Sequence, residues 1–403
     1  MLAVTQARPY GPTRILAFED GPDVDAFTVV RPERGASVAY DFAFHPRFAE
    51  NGFLFIGWND GKATHLSRFR FDAENLAFLP GSETVFLTWD GNGHNGAAID
   101  FGPDGFLYVT TGDGSTDSDV LLNGQRTDGL HAKLLRIDPD KPADGKPYSV
   151  PADNPFLGNP AFAPETWAYG FRNPWRIDVD ERTGQIWVGN NGQDLWEQVY
   201  LVTKGANYGW SAYEGSRPFY PNRKLGPTPV SKPALEHSHA ESRSLTGGLV
   251  YHGEALPELK GHYLYGDYAT GKIWAARYDG EKVSSPQELA DSALKITDFN
   301  LDTRGELLVL DHGERSDGGG FYRLVPTSSE GAVSDFPQTL SATGLYADVA
   351  KRRLAPGVLP YAVNAEQWAD GAHQRRALAL PAFPDESGKL RSDPIGYRPR
   401  DAW

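Results

Sequence analysis

One local pattern recurs six times in this chain: a turn residue, usually glycine, then a run of apolar residues, then a small or polar group. The copies open at Met1 (MLAVTQ), Gly52 (GFLFIGWND), Gly105 (GFLYVTTGD), Gly184 (GQIWVGNNG), Gly261 (GHYLYGD) and Gly305 (GELLVLDHG). Behind each comes a segment with arginine, lysine or aromatic alternation: TRILAF, THLSRFRF, KLLRID, EQVYLV, KIWAARY and GFYRLV. Each unit therefore reads as a β-meander that cannot bury its faces alone. Packed radially around a channel, such units become propeller blades, so the expected fold class is all-β, a six-bladed β-propeller. Two stacked β-sandwiches are the alternative, though sandwiches seldom repeat one strand motif at such intervals.

The propeller is expected over residues 1–326, its first blade truncated at the N-terminus because the chain opens inside a strand. After Pro326 the repeat is lost. Residues 327–403 are expected to form a short, mostly irregular C-terminal extension, an incomplete appended domain in which SATGLYADVAK makes one short helix capped by Ser341.

Composition narrows the function. The 44 glycines and 30 prolines fall between short apolar runs, where a turn-rich β fold needs them. A net charge of −14, with no local basic patch, argues against binding nucleic acid or anionic lipid surfaces. The absence of cysteine excludes disulfides, thiolate chemistry and covalent c-type haem within these residues. No stretch approaches the roughly 18 apolar residues needed to span a bilayer, and the first residues lack a signal-peptide pattern.

With the repeated strands taken as the inner ones, polar residues at their ends should converge on the channel mouth. These are Gln6, Asp60, Asp113, Asn190 to Gln193, Asp267, Asp311 and His312. Such a ring suits a hard cation or sugar hydroxyls, while for any single member a turn-capping role is the simpler expectation. Within the third unit, His94 precedes one strand and Asp113 follows its hairpin partner, which should bring an imidazole and a carboxylate together as a general base needs. Arg172 and Asn173 sit in a tight Tyr-Gly-Phe-Arg-Asn-Pro segment, where a guanidinium offers planar donors to a carboxylate or quinone oxygen, or else bridges two blades. In GNNGQDLWEQV, backbone carbonyls of Gly192 and Gln193 are candidates to face a cation, with Glu197 adding charge; the alternative is an ordinary turn. His237 and His239 suggest a metal site only weakly, since no third ligand is evident, and a loop lining the cleft is the preferred reading.

Several motifs in order, HNGAAIDFGPDGFLYVTTGDG, LLRIDPD, VPADNPF, YGFRNPWRI, NGQDLWEQV, GANYGW, and TGGLVYHG followed by GHYLYGDYATGKIW, resemble the glucose/sorbosone dehydrogenase family over about residues 38 to 326. The resemblance implies a quinoprotein: pyrroloquinoline quinone (PQQ) over the channel mouth, Ca2+ polarising it, and a histidine taking the proton from a hydroxyl of an aldose sugar or related polyol. His94 matches that base and Asp113 the aspartate that orients it. Arg172 and Asn173 match cofactor-contacting positions, and Gly192 and Gln193 fall where backbone oxygens hold the calcium. It further implies an external electron acceptor such as a cytochrome c, and a periplasmic or secreted location. Departures are a polar position reading Ala36 or Ser37, a lysine position reading Ala269, and an arginine pair reading Lys295 and Thr297, which leaves Lys295 as the cation counted there for the cofactor. Two other readings stay open: a non-catalytic propeller binding carbohydrate or protein, and a calcium-dependent lactonase-like hydrolase.

Overall fold

The computed structural model describes residues 38–313 apart from 92 and 144, residues 319–326 and 339–361 apart from 357, and short strands elsewhere. Two compact units are present, residues 1–326 and 327–403.

The first unit is a β-propeller. Its first described blade holds β4 (Val38–Phe44), β5 (Phe53–Asn59), β6 (Ala63–Asp72), the short β7 (Ala77–Phe78) and β8 (Thr84–Asp90). The second holds β9 (Gly96–Phe101), β10 (Leu107–Thr111), β11 (Lys133–Ile137) and β12 (Thr166–Tyr169). The third holds β13 (Asn173–Val179), β14 (Ile186–Asn191), β15 (Trp196–Val202) and β18 (Leu235–Ser238), with the small hairpin β16 (Tyr213–Glu214) and β17 (Arg217–Pro218) inserted. The fourth holds β19 (Leu245–Val250), β20 (Tyr263–Asp267), β21 (Lys272–Ala276) and β22 (Gln287–Asp291). The fifth has three strands, β23 (Ile296–Leu301), β24 (Leu307–Asp311) and β25 (Gly320–Tyr322). A further three-stranded sheet, β1 (Leu2–Gln6), β2 (Thr13–Ala17) and β3 (Thr28–Val30), precedes them. Five blades are thus formed among the described residues beside this N-terminal sheet, where the repeats led us to expect six.

The cores lie between consecutive blades, as radial packing requires. Trp187 and Val199 of the third blade meet Leu245, Tyr265 and Trp274 of the fourth, and Trp187 stacks on Tyr263 with ring centroids 4.6 Å apart. Leu249, Leu264 and Ile273 of the fourth meet Ile296, Phe299 and Val309 of the fifth. The glycines that open the repeat, from Gly52 to Gly305, all have positive φ, between 65° and 81°. A side chain is strained in that region, which explains why the repeat begins on glycine.

The repeated apolar strands are not the innermost ones. β5, β10, β14, β20 and β24 stand second from the axis, and β4, β9, β13, β19 and β23 pack against one another around it. Second strands are covered by neighbouring blades on both faces, so they read as the most apolar. The innermost strands carry a ladder of aspartates instead. Asp41 accepts the Ile99 N–H of the next blade at 3.0 Å, Asp100 the Val179 N–H at 2.7 Å, and Asp178 the Val250 N–H at 3.0 Å. Asp298 pairs with Arg176 at 2.9 Å.

Burial raises the carboxyls of Asp41 and Asp100 to about 7, and that of Asp178 well above its usual range. A carboxyl raised in the folded state holds its proton longer than in the unfolded chain. Its contribution to stability is therefore full below about pH 4 and lost as pH rises through 7. Between pH 5 and pH 8 the native protein should lose at most about 2 kcal/mol relative to an Asp100→Asn variant, since Asp100 is not fully shielded from solvent. Denaturant midpoints of the two proteins at both pH values test this, and a difference independent of pH would refute it.

In the second unit the helix expected at Ser341 is absent. Gly344, at φ 69°, interrupts the segment, and β26 (Tyr346–Asp348) pairs with β27 (Arg353–Leu354) instead. Two more hairpins follow, β28 (Val358–Tyr361) with β29 (Arg376–Ala379) and β30 (Phe383–Pro384) with β31 (Leu390–Arg391).

Candidate active site

All five innermost strands start at the same end of the axis, where the second strands finish. The end pairs are Val38 with Asn59, Gly96 with Thr111, Asn173 with Asn191, Leu245 with Asp267, and Ile296 with Asp311. A register shift lies just inside each pair, in every blade. Such bulges bend the strand and re-aim the residues ahead of it. In the second blade the bend is sharp, with Ala97 at φ 72°, and it leaves His94 above the strand end.

His94 Nδ1 lies 2.9 Å from Asp113 Oδ1. Asp113 is fully buried and also accepts the Ser115 N–H at 2.8 Å and the Trp210 indole N–H at 2.7 Å. Its backbone N–H donates to the Arg172 carbonyl at 2.8 Å, and the Asn123 amide donates to its own carbonyl at 2.8 Å. The carboxylate is therefore held from three directions. An acceptor at Nδ1 fixes the proton on that nitrogen and leaves the Nε2 lone pair available, with the ring partly exposed.

Arg172 is buried beside this pair. Its guanidinium lies 5.5 Å from the Trp210 ring centroid, and Nη1 makes one long bond, 3.4 Å, to the Asn191 carbonyl. Nε has no hydrogen-bond partner, and no carboxylate forms an ion pair with the group among the described residues. Burial lowers its pKa, with Asp113 and Glu197 opposing. The neighbouring Asn173 donates to Asn191 Oδ1 at 3.2 Å.

Gln193 clasps Ser118, accepting its N–H at 2.7 Å and donating to its hydroxyl at 3.0 Å, which ties the loop after Asp113 to the third blade. Glu214 collects the N–H groups of Gln193 and Asp194 at 2.6 and 2.7 Å, so the backbone around Gly192 and Gln193 is fixed. Glu197 is buried and both its oxygens are engaged, Oε1 by His239 at 2.9 Å and Oε2 by the Leu245 N–H at 2.9 Å and Asn191 at 3.2 Å. Its carboxylate is thus occupied by donors from three directions. His237 bonds Glu241 and Tyr265 through its two nitrogens while His239 bonds Glu197, so the two histidines do not converge on one point.

Other members of the expected ring cap their own loops. Asp60 accepts the N–H groups of Lys62 and Ala63, and Asp311 accepts that of Lys295. Asp267 takes five hydrogen bonds from Ser242, Arg243, Ser244 and Thr270. The Lys295 ammonium bonds the Ala269 carbonyl at 3.3 Å, and Thr297 Oγ1 the Leu310 carbonyl. The Gln6 side chain, Ala36 and Ser37 lie outside the described residues. Trp210 was not anticipated from the sequence, although its GANYGW segment is one of the resembling motifs.

A buttressed imidazole thus stands beside a buried, unpaired guanidinium at the mouth of a radial β-sheet array. The profile described as Glucose / Sorbosone dehydrogenase matches residues 20–322, and the chain belongs to that family. Among its relatives is the HIPL2 protein of Arabidopsis thaliana, 33% identical over 64% of this chain and 45% of that protein. The aldose sugar dehydrogenase YliI of Escherichia coli is 24% identical over 67% of this chain and 73% of its own length. The PQQ-bound structure of aldose sugar dehydrogenase from Streptomyces coelicolor has the same fold, with a TM-score of 0.57 at 20% identity over 79% of this chain and 96% of that one. The chain spans less than half the length of HIPL2.

Proposed function

We propose that this chain is a quinoprotein oxidoreductase that oxidises an aldose or related polyol, with His94 as general base. The observation that carries the reading is the His94 and Asp113 pair with a free Nε2 beside the unpaired, buried Arg172. A buried guanidinium without a carboxylate is costly unless a ligand supplies the negative partner, and a group bearing carboxylates and quinone oxygens fits that need. Arg172 and Asn173, with Lys295 further round the mouth, are the proposed contacts for PQQ, which when bound would accept the hydride. Calcium, if it accompanies the quinone, would rest on backbone oxygens of Gly192 and Gln193, with Glu214 bracing that backbone and Glu197 adding charge nearby. His94 Nε2 would take the hydroxyl proton of the substrate, and Asp113 would steady the imidazolium that results. We also assign β1–β3 to a sixth blade, on the strength of the repeat, and a periplasmic or extracellular setting with an external electron acceptor, on the strength of the family.

The test is to add PQQ and Ca2+ to the purified chain, look for a bound quinone spectrum, and assay dye reduction with a panel of sugars. Binding at micromolar PQQ is expected, weakened at least tenfold by Arg172→Gln. No binding at all would refute the reading and favour a second one, a non-catalytic propeller binding carbohydrate or protein. Ala269 and Thr297, at positions where cations were expected for a cofactor with three carboxylates, are what favour that second reading. Calcium-dependent hydrolysis of a lactone would favour a third reading, a lactonase-like hydrolase.

A further inference from the structure

Below the loop that carries Asp113, a cavity of about 250 Å³ opens between the end of β8 and the start of β11. Lys133, the first residue of β11, lines it and is almost wholly buried, 1% exposed. Its ammonium donates to the carbonyls of Arg126 at 2.7 Å and His131 at 2.8 Å, and no carboxylate forms an ion pair with it among the described residues. An ammonium has three N–H donors. Two are satisfied by these carbonyls, and the third has no partner among the described residues.

The rest of the lining sets the chemistry of an occupant. Arg126 stands at the rim with Nε and Nη2 on Asp128, an exposed pair that is already neutral overall. His131 lies with Nε2 2.9 Å from the Asp90 backbone carbonyl, to which that nitrogen donates its N–H. The exposed Asp90 carboxylate is the one acidic group of the lining. Leu130 and Trp89 supply apolar wall. The lining thus holds one buried cation, Lys133, next to apolar surface, with the exposed Asp90 as its acidic group.

We propose that this cavity is a binding site for a small monocarboxylate, its head on Lys133 and its short carbon chain against Leu130 and Trp89. A doubly charged phosphate is poorly matched to one cation with Asp90 nearby, and the volume is below that of drug-sized ligand pockets, roughly 300 Å³ and upward. The site is separate from the mouth but touches its foundations. Asn123, which lines the cavity, donates to the Asp113 carbonyl, and the His131 ring packs against Gly114, where an added Cβ would lie 2.9 Å from it. The inference does not depend on the proposed oxidation.

Burial pulls the Lys133 ammonium down to about 7, with Asp128 opposing and Arg126 assisting. A bound carboxylate favours the protonated form, so binding should take up a proton above pH 7. Affinity should then fall about tenfold between pH 6 and pH 8.

The experiment uses the purified chain without added cofactor. Isothermal titration with acetate, butyrate and sodium chloride at pH 6 and pH 8 is paired with competitive acetylation of lysines, read for Lys133 by peptide mass spectrometry. Butyrate is expected to bind more tightly than acetate, to bind more weakly at pH 8, and to protect Lys133 where chloride at equal ionic strength does not. Lys133→Met should abolish the binding. Should that variant fail to fold, Arg126→Gln at the exposed rim is expected to weaken binding severalfold, and the protection pattern of the native protein is decisive in itself. Neither heat nor protection at tens of millimolar butyrate, or equal protection by chloride, would overturn the assignment. Binding unchanged in a folded Lys133→Met protein would do the same.

Discussion

Replacing His94 with alanine should lower kcat for sugar-dependent dye reduction by about a hundred- to ten-thousandfold, the usual contribution of a positioned general base. Quinone binding and thermal stability should change little. The imidazole is partly exposed and makes one side-chain hydrogen bond, so its removal opens no core. The loss should instead appear in the pH profile. The pH dependence of the native protein's activity should carry a limb that the variant lacks. Asp113→Asn makes a useful contrast. Its amide nitrogen would face one of the N–H groups of His94, Ser115 or Trp210, so both rate and stability should fall. Full dye reduction by the His94→Ala protein, with quinone bound, would remove His94 from the mechanism while leaving the cofactor assignment intact.

What could be read in advance divides by the range of the interaction. The His94 and Asp113 contact was legible because a hairpin between β9 and β10 brings the ends of two adjacent strands together. Trp210, which fixes the other oxygen of Asp113, comes from 97 residues further along, and no local pattern announces such a contact. The strands were legible through their leading glycines, but their order within a blade was not. Apolar continuity marks the strands sandwiched between neighbours, and in a propeller those lie one step out from the axis. The signal for the true inner strands was the recurring Asp-Phe or Asp-Val within them, at Asp41, Asp100, Asp178 and Asp298. Glu197 shows a related limit. Its spacing after Gly192 suited a cation site, but three donors converge on it from separate strands and loops.

The same competition between mouth chemistry and loop capping gives a second large effect, at Asp267. The sequence offered its carboxylate to a cation or a sugar, whereas the structure surrounds it with donors. Oδ2 accepts the Ser242 hydroxyl at 2.6 Å and the N–H groups of Arg243 and Ser244 at 2.8 and 2.7 Å. Oδ1 accepts the N–H and hydroxyl of Thr270 at 2.7 and 2.9 Å. The residue is fully buried. One side chain thus ties the loop entering β19 to the turn leaving β20. Alanine would strand several donors at once, and each buried donor left without a partner costs about 1–3 kcal/mol before relaxation and entering water are counted. We therefore expect Asp267→Ala to lower unfolding free energy by about 3–5 kcal/mol. Asn should recover only part of this, since one oxygen cannot serve both sets of donors. Denaturant titration of the three proteins is the measurement. If Asp267→Ala retained native stability but lost ligand binding at the mouth, the carboxylate would belong to the site after all, and the capping account would fail.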